Sequence, residues 1–326
     1  MSGVSVIIPN WNGARRLSLL FASLARQHSI EEVIVVDNGS TDDSILLARE
    51  AGAKVIALTQ NHGFSIAVNV GVRAASCEWV AVVNNDVQLQ PGWVEALLSS
   101  AQTRSAWFAV GKLLDSKRPD RLDGTFDAIC RGGTAWRCGA GQPDGPAYQT
   151  TLAIRFAPFT AVLLRKELFS KVGPLDERFE SYLEDVDFGL RCALQGVRGV
   201  YVPEAVGFHE GSASLGRWNS ETVRRISRNQ LFLIAKHYPP GWFARYGWAI
   251  FVAQGLWGLL ALRHGSGFAW MKGKVEGMRG FRSIRHTRPP GHSSLASILE
   301  ESEAQIRHLQ TLAGPDLYWK TYFLLT

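Results

Sequence analysis

Two rhythms of apolar positions alternate along the first 85 residues. Residues 4–8 form a short β-branched run closed by Pro9, the pattern of a buried strand. Leu17, Leu20, Phe21 and Leu24 then recur at helical spacing and predict an amphipathic helix over 14–27. A second apolar strand over 33–36 runs into Asp37–Asn38–Gly39–Ser40–Thr41–Asp42. The last three of these are N-cap candidates for a helix through Ile45, Leu46 and Ala48, stopped by Gly52. Residues 55–58 predict strand three, 64–75 the next helix and 80–83 strand four. This succession is the βαβ pattern of an α/β fold, a Rossmann-like parallel sheet flanked by helices. In such sheets ligands sit beyond the carboxyl ends of the strands. Those ends carry Pro9–Asn10–Trp11–Asn12, Asp37–Asn38–Gly39–Ser40, Gln60–Asn61–His62–Gly63 and Asn84–Asn85–Asp86, all short and polar.

Residues 111–150 lose this periodicity and are rich in Gly, Pro, Arg and Asp. They predict an irregular, flap-like excursion between two halves of a catalytic domain. Order resumes with a strand over 159–164, a segment over 166–172 broken by Gly173–Pro174, and a helix from Glu184 marked by Val186, Leu190 and Leu194. Two short strands follow, over 200–202 and 206–208. From about residue 240 the composition changes, and a catalytic domain over 1–236 with a helical appendage over 237–326 is expected. Residues 246–262 hold no charge, and Arg263, Lys272, Lys274, Arg279, Arg282, Arg285 and Arg288 follow, opposed only by Glu276. Arg288–Pro289–Pro290–Gly291 suggests a linker before a last helix. An uncharged stretch of 17 residues falls short of the ~20 that span a bilayer. Trp-rich apolar surface beside basic residues suits a helix lying in the membrane interface, and a helix pair packed on the catalytic domain is the other reading.

Composition narrows the classes. The chain has 326 residues, 46% hydrophobic and 20% charged, which excludes wholesale disorder. Its formal net charge of +6 points to an anionic partner. Because the basic residues lie beside an apolar, tryptophan-rich stretch, that partner is a membrane surface or a phosphorylated ligand and not nucleic acid. Cys77, Cys130, Cys138 and Cys192 form no Cys-x-x-Cys pair, so they predict free thiols of a reducing cytoplasm. The N-terminus has no basic n-region and enters a strand at once, so no signal peptide is expected and a cytoplasmic location is. No Gly-x-Gly-x-x-Gly and no Gly-x-x-x-x-Gly-Lys-Ser/Thr loop follows strand one, which weighs against dinucleotide oxidoreductases and P-loop NTPases.

The candidate chemistry has competing structural readings. Asp86, at a rigid strand end, suits a hard divalent cation held against a diphosphate; Asn84–Asn85–Asp86 also suits an Asx-turn. Asp37 is placed to accept from a base imide or a ribose hydroxyl, or to cap a helix. Glu184–Asp185–Val186–Asp187 opens a helix, where the dipole favours acids and Asp187 pairs with Arg191 at i, i+4. Three acids in four positions nonetheless exceed what capping needs, and a carboxylate at a cleft mouth suits a general base. His209 ends a strand as a structural or metal-ligating imidazole. Arg191, Arg228 and Asn229 are candidates for phosphate or acceptor contact, or residues of a solvated helix face.

Taken in order, these residues resemble the inverting family 2 glycosyltransferases of GT-A fold. The resemblance runs through Val4–Ser5–Val6–Ile7–Ile8–Pro9–Asn10–Trp11–Asn12, Val36–Asp37–Asn38–Gly39–Ser40–Thr41–Asp42, Asn61–His62–Gly63–Phe64 with Asn69 and Gly71, and Asn84–Asn85–Asp86. It continues through Leu175–Asp176–Glu177–Arg178–Phe179, Tyr182–Leu183–Glu184–Asp185–Val186–Asp187, Val202–Pro203–Glu204–Ala205 and His209 with Gly211, Ser212 and Ser214. Within the family, the bacterial rhamnosyltransferase-like subgroup is the one resembled. The resemblance implies a dTDP- or UDP-linked sugar donor bound by Pro9, Asn10, Asn12, Asp37, Asn61, Gly63, Phe64, Asn69, Asn84, Asn85 and Asp86. It implies Mg²⁺ or Mn²⁺ on Asp86 and His209, Asp185 as catalytic base with Glu184 near the acceptor, and a glycan or polyprenyl-diphosphate-linked acceptor at the inner face of the cell membrane. Asn84 stands where the family's first Asp-x-Asp acid is expected. A nucleotidyltransferase would need a Gly/Arg/Lys-rich loop after strand one, where this chain has Asn-Trp-Asn-Gly; a degenerate transferase kept as a membrane-associated scaffold is the non-enzymatic alternative.

Overall fold

A computed structural model describes residues 3–211, 218–285, 294–314 and 316–326. Its first strand, β1 (Val4–Asn10), lies parallel to β2 (Ile30–Asp37), and β2 to β3 (Lys54–Ala57). Helices α1 (Ala14–Leu24), α2 (Ser44–Glu50) and α3 (Phe64–Ala74) make the crossovers, and β4 (Trp79–Val83) pairs parallel with the other edge of β1. Successive side chains face opposite layers, and both layers are covered. Ile7, Ile34, Val36, Val80 and Val82 join α3 residues Val68 and Val72 in one cluster, while Val6, Ile8, Val35, Ala81 and Val83 join Leu17 and Leu20 of α1 in the other. Burial on both faces is why these strands read as unbroken apolar runs. The predicted α/β fold is therefore present. Helix α1 ends at Leu24, short of the predicted 27, in a final turn where Arg26 and Gln27 donate to the carbonyls of Ser23 and Leu24.

After β4 come β5 (Val87–Leu89), α4 (Trp93–Thr103) and β6 (Phe108–Asp115). The expected irregular excursion over 111–150 is corrected here. β6 turns back into antiparallel β7 (Arg118–Gly124), and a hairpin of β8 (Asp127–Ile129) and β9 (Ala135–Arg137) follows. The segment hid its strands because they are short and bury charge: Lys112 is paired with Asp144 at 2.8 Å, and Asp127 with Arg137 at 2.8 Å. Next are β10 (Leu152–Ile154), β11 (Ala161–Arg165), α5 (Leu168–Lys171), α6 (Glu184–Leu194) and β12 (Gly199–His209). The two short strands predicted over 200–208 are one 11-residue strand whose register slips between Tyr201 and Val206, around Pro203, which has no N–H to give a ladder. The sheet order is β10-β12-β6-β11-β4-β1-β2-β3, with β5 on β12, β7 on β6, and β11 antiparallel to both its neighbours.

The helical region comprises α7 (Ser220–His237), α8 (Trp242–Arg263), α9 (Gly267–Arg285), α10 (Leu295–Ala313) and α11 (Leu317–Leu325); the linker suggested at 288–291 lies outside the described residues. These helices grip the β8–β9 hairpin. Ser302 accepts from the Ile129 N–H at 2.8 Å, Glu303 pairs with Arg131 at 2.6 Å, and Gln254 donates to the Gly132 carbonyl at 2.9 Å. Trp136 of the hairpin meets Trp319 of α11 with ring centroids 6.0 Å apart. One face of α8 is thus buried. Its opposite face exposes Trp248, Phe251, Leu259 and Leu262, a stripe at i, i+3, i+11 and i+14, each 60% exposed or more. Cys130, Cys138 and Cys192 are buried and Cys77 half-buried, all four free. Burial pushes the Cys130 and Cys192 thiols up to about 12, which makes them inert packing groups.

Candidate active site

Three strand ends and one loop meet at the carboxyl edge of the parallel strands. Asn10, at the end of β1, is buried; its Nδ2 donates to Asp37 Oδ1 at 2.9 Å and its Oδ1 accepts from Asn85 Nδ2 at 2.8 Å. Asn10 therefore ties strand ends one, two and four together. Asp37 is fully buried and also accepts from the Ser40 N–H at 2.9 Å and the Ser40 hydroxyl at 2.6 Å. A carboxylate has about four lone-pair positions, so one on Oδ2 is left over. Neither Asp37 nor Ser40 caps α2; Asp42 does the local work, accepting from Ser44 N–H at 3.1 Å while also taking the Ala14 N–H at 3.1 Å. Asn12, at φ 48°, accepts from the Thr41 N–H at 2.8 Å. Asn61 accepts from Asn38 at 3.1 Å and from the Gly63 N–H at 2.9 Å. Gly63 has φ 89°, and a Cβ there would lie 3.0 Å from the Glu180 carbonyl oxygen. Only glycine lets the 60–64 loop close onto the loop before α6. Phe64, the next residue, donates its N–H to the Ser181 hydroxyl at 3.3 Å, and Pro9 is half-buried within β1.

Asp86 follows β4 across Asn84 and Asn85. Its Oδ1 lies 3.3 Å from His209 Nε2, and His209 Nδ1 lies 2.8 Å from Asp123 Oδ2. The pairing is built by the sheet: His209 sits opposite Val87 in the β5–β12 ladder, and the Glu210 N–H donates to the Asp86 carbonyl at 3.0 Å. Burial pulls the imidazole down, but the Asp123 and Asp86 carboxylates outweigh it and hold His209 at about 9. A divalent cation fits this pair. Two ligands at adjacent octahedral positions, each roughly 2.2 Å from the ion, lie about 3 Å apart, and an imidazole with an oxygen donor is a reasonable set for Mn²⁺. Asn84 Oδ1 is buried without a hydrogen-bond partner beside it. A cleft of about 630 Å³ opens next to Asp86, lined by Asn12, Arg15, Asn85, Lys117 and Glu210 among others.

The four residues before α6 are unusual. Glu180, Tyr182 and Leu183 have φ of 61°, 71° and 67°, each a left-handed conformation that costs of order 1 kcal/mol or more in a non-glycine residue. Asn229 of α7 holds the strained turn: its Nδ2 lies 2.9, 3.0 and 2.7 Å from the carbonyl oxygens of Phe179, Ser181 and Tyr182. Arg228 adds Glu180 at 2.7 Å and the Phe179 carbonyl at 2.9 Å. Both are buried. This corrects the reading of Arg228 and Asn229 as phosphate or acceptor contacts: they brace the loop that delivers Glu184 and Asp185. Arg191 is corrected likewise. It is buried against Asp187 at 3.0 Å and donates to the carbonyls of Val172, Gly173 and Pro174. So is Asn69, whose amide is engaged by Leu175 and Glu177, tying α3 to residues 175–177 instead of facing a ligand.

The three acids of α6 separate cleanly by environment. Asp187 is fully buried among Arg191, Lys236 and His237; burial alone would raise it, but those partners hold it well below the usual carboxylate range. Glu184 is buried with Oε2 unpartnered, and burial together with Asp185 pushes it well above that range. Asp185 is half-buried, accepting from the Val186 N–H at 2.8 Å and weakly from the Phe159 N–H at 3.4 Å. Burial, then the Asp127 carboxylate, raise it to about 6. Asp127 and Arg137, on the hairpin, and Asp123, on β7, were missed from sequence; their only signal was acids set among buried positions of an aperiodic segment. Arg137 feels Asp127, Asp123 and Asp185 together, and Tyr182 feels both Glu184 and Asp86. Through Arg137 and Tyr182 the Asp86–His209 pair and the α6 acids are therefore electrostatic neighbours.

A family model described as "Glycosyl transferase family 2" matches residues 5–173, and one described as "Glycosyl transferase family group 2" matches residues 155–274. The chain belongs to glycosyltransferase family 2. This family 2 glycosyltransferase is 30% identical over 267 residues to an N-acetylglucosaminyl-diphospho-decaprenol L-rhamnosyltransferase of Mycobacterium tuberculosis, covering 74% of this chain and 84% of that one. It is 32% identical over 223 residues to an O-antigen biosynthesis protein of Myxococcus xanthus, covering 65% of this chain but 17% of that much longer protein. Both likenesses fit the rhamnosyltransferase-like subgroup. Two solved structures share the GT-A fold. One, GalNAc-T7 with UDP, GalNAc and Mn²⁺, has a TM-score of 0.61 at 13% identity, covering 96% of this chain and 58% of that one. The other, a Pyrobaculum calidifontis mannosyltransferase with GDP-Man and Mn²⁺, has a TM-score of 0.52 at 16% identity, covering 99% and 86%. The second family model continues past residue 237 through α8 into α9, across the expected boundary.

Proposed function

We propose that this glycosyltransferase moves a sugar, with inversion, from a dTDP- or UDP-linked donor to a hydroxyl of a glycan carried on a polyprenyl diphosphate. Asp185 is the general base: half-buried, raised to about 6 and ionised at neutral pH, it takes the acceptor hydroxyl's proton as that oxygen attacks the anomeric carbon. Glu184, beside it, is pushed well above the usual carboxylate range by burial and Asp185, which favours the protonated form that can give the acceptor a hydrogen-bond donor. Pro9, Asn10, Asn12 and the remaining lone pair of Asp37 bind the base and ribose, with Asn61, Gly63 and Phe64 closing the other side and Asn84 and Asn85 lining the floor. Asp86 and His209 would hold Mn²⁺ or Mg²⁺, which supplies charge to offset the departing diphosphate. What supports this reading is the strand-end position of Asp86, paired with His209, together with its electrostatic proximity to the α6 acids through Tyr182 and Arg137. The lipid-linked acceptor is inferred from the mycobacterial relative, whose name specifies such a substrate.

Membrane contact belongs to the same proposal. Among the described residues no helix is long and apolar enough to cross a bilayer. The outward stripe of α8, extended by Phe268, Met271 and Met278 of α9 and flanked by Arg263, Lys272, Arg279 and Arg282, suits an anionic interface at the inner face of the cell membrane. Assaying a panel of nucleotide-sugars with Mn²⁺ or Mg²⁺ tests the activity. Donor turnover that a chelator abolishes supports the proposal; equal turnover in chelator refutes the cation, and no turnover of any dTDP- or UDP-sugar refutes the donor class.

A further inference from the structure

His209 is held at both ring nitrogens by carboxylates, and the one on Nδ1 comes from the segment that looked irregular in sequence. Asp123 lies on β7, which pairs with β6, which in turn runs parallel to β12 and so to His209. The sheet thereby fixes Asp123 Oδ2 at 2.8 Å from His209 Nδ1, while Nε2 faces Asp86 Oδ1 at 3.3 Å. Once a cation has displaced the Nε2 proton the imidazole is neutral with one lone pair, and a hydrogen bond from Nδ1–H to a carboxylate keeps that lone pair on Nε2. The chain also closes over this contact. Gly211, two residues after His209, has φ 63°, and a Cβ there would meet Asp123 Oδ1 at 3.3 Å.

We propose that Asp123 is a positioning residue: by accepting from His209 Nδ1–H it fixes the tautomer and ring orientation that present Nε2, together with Asp86, to a divalent cation. This rests on the cation assignment made above. It adds a partner that acts through His209 and does not itself touch the ion.

The test is titration of the full chain with Mn²⁺ alone, following free Mn²⁺ by electron paramagnetic resonance. Asp123→Ala is expected to weaken Mn²⁺ binding about 10- to 100-fold, the usual effect of losing such a partner. Asp123→Asn keeps a carbonyl acceptor for Nδ1–H and is expected to fall between Asp123→Ala and the parent, and its near-identical shape guards against misfolding, checked by thermal melting. In a His209→Ala background Asp123→Ala is expected to change Mn²⁺ binding less than twofold, because the residue it acts through is gone. An unchanged Kd in Asp123→Ala overturns the proposal, as does a loss that persists undiminished without His209, which would make Asp123 a direct ligand. Failure of the parent protein to bind Mn²⁺ overturns the cation assignment itself, and this inference with it.

Discussion

Replacing Asp187 with Asn separates the fold's electrostatics from its chemistry. Asp187 is fully buried, with Arg191 Nε at 3.0 Å, Lys236 Nζ at 2.9 Å and His237 Nε2 at 2.8 Å. Removing one member of a buried ionic cluster costs about 3–5 kcal/mol, because the charges left behind lose their compensation. Two partners keep other contacts, Lys236 to Asp176 at 2.8 Å and Arg191 to three carbonyls, so the lower end of that range is expected. With an unfolding entropy of about 2 cal/mol/K per residue, a chain of 326 residues falls in Tm by about 1.5 °C per kcal/mol, or roughly 5 °C here. The carboxyl's folded pKa is depressed, so its contribution is complete above the unfolded value near 4 and is lost as pH falls through the folded value. Urea unfolding of both proteins should therefore differ by about 3 kcal/mol at pH 7.5 and 5, with the gap narrowing below pH 4. Equal stability at pH 7.5, or a gap that widens in acid, would refute the reasoning.

Other expectations follow from the same geometry. Because Asp185 must be ionised to act as base and is raised to about 6, kcat/KM should fall about tenfold per unit as pH drops below 6; a flat profile down to pH 5 would exclude this base. Trp248→Glu with Phe251→Glu should lower flotation with vesicles containing anionic phospholipid at low salt at least tenfold while leaving Tm within about 1 °C, since both side chains are exposed. Undiminished flotation would remove the α8 stripe from the membrane account.

The parallel half of the fold was legible because its strands are buried on both faces and its crossovers are amphipathic, so both periods appear without interruption. The strand-end positions of Asp37 and Asp86 followed from that alone. The second half was obscured where charge is buried: Lys112 and Asp127 occupy strand positions that periodicity assigns to loops, and Asp123 and Arg137 were lost with them. The α6 acids could be counted from sequence but not sorted. Sorting required tertiary partners, since Lys236 and His237 lie some fifty residues from Asp187 and turn what looked like an ordinary i, i+4 pair into a buried cluster. Asn229 was misjudged for a related reason. A polar residue inside a helix resembles a ligand contact until the strained carbonyls it serves, nearly fifty residues earlier, are brought against it.

Asp185→Asn tests the central claim most directly, measured for sugar transfer to a polyprenyl-diphosphate-linked glycan and, in parallel, for nucleotide binding by calorimetry. The account predicts that transfer falls at least about a thousandfold while nucleotide affinity and Tm stay close to the parent's. Transfer within tenfold of the parent would contradict it.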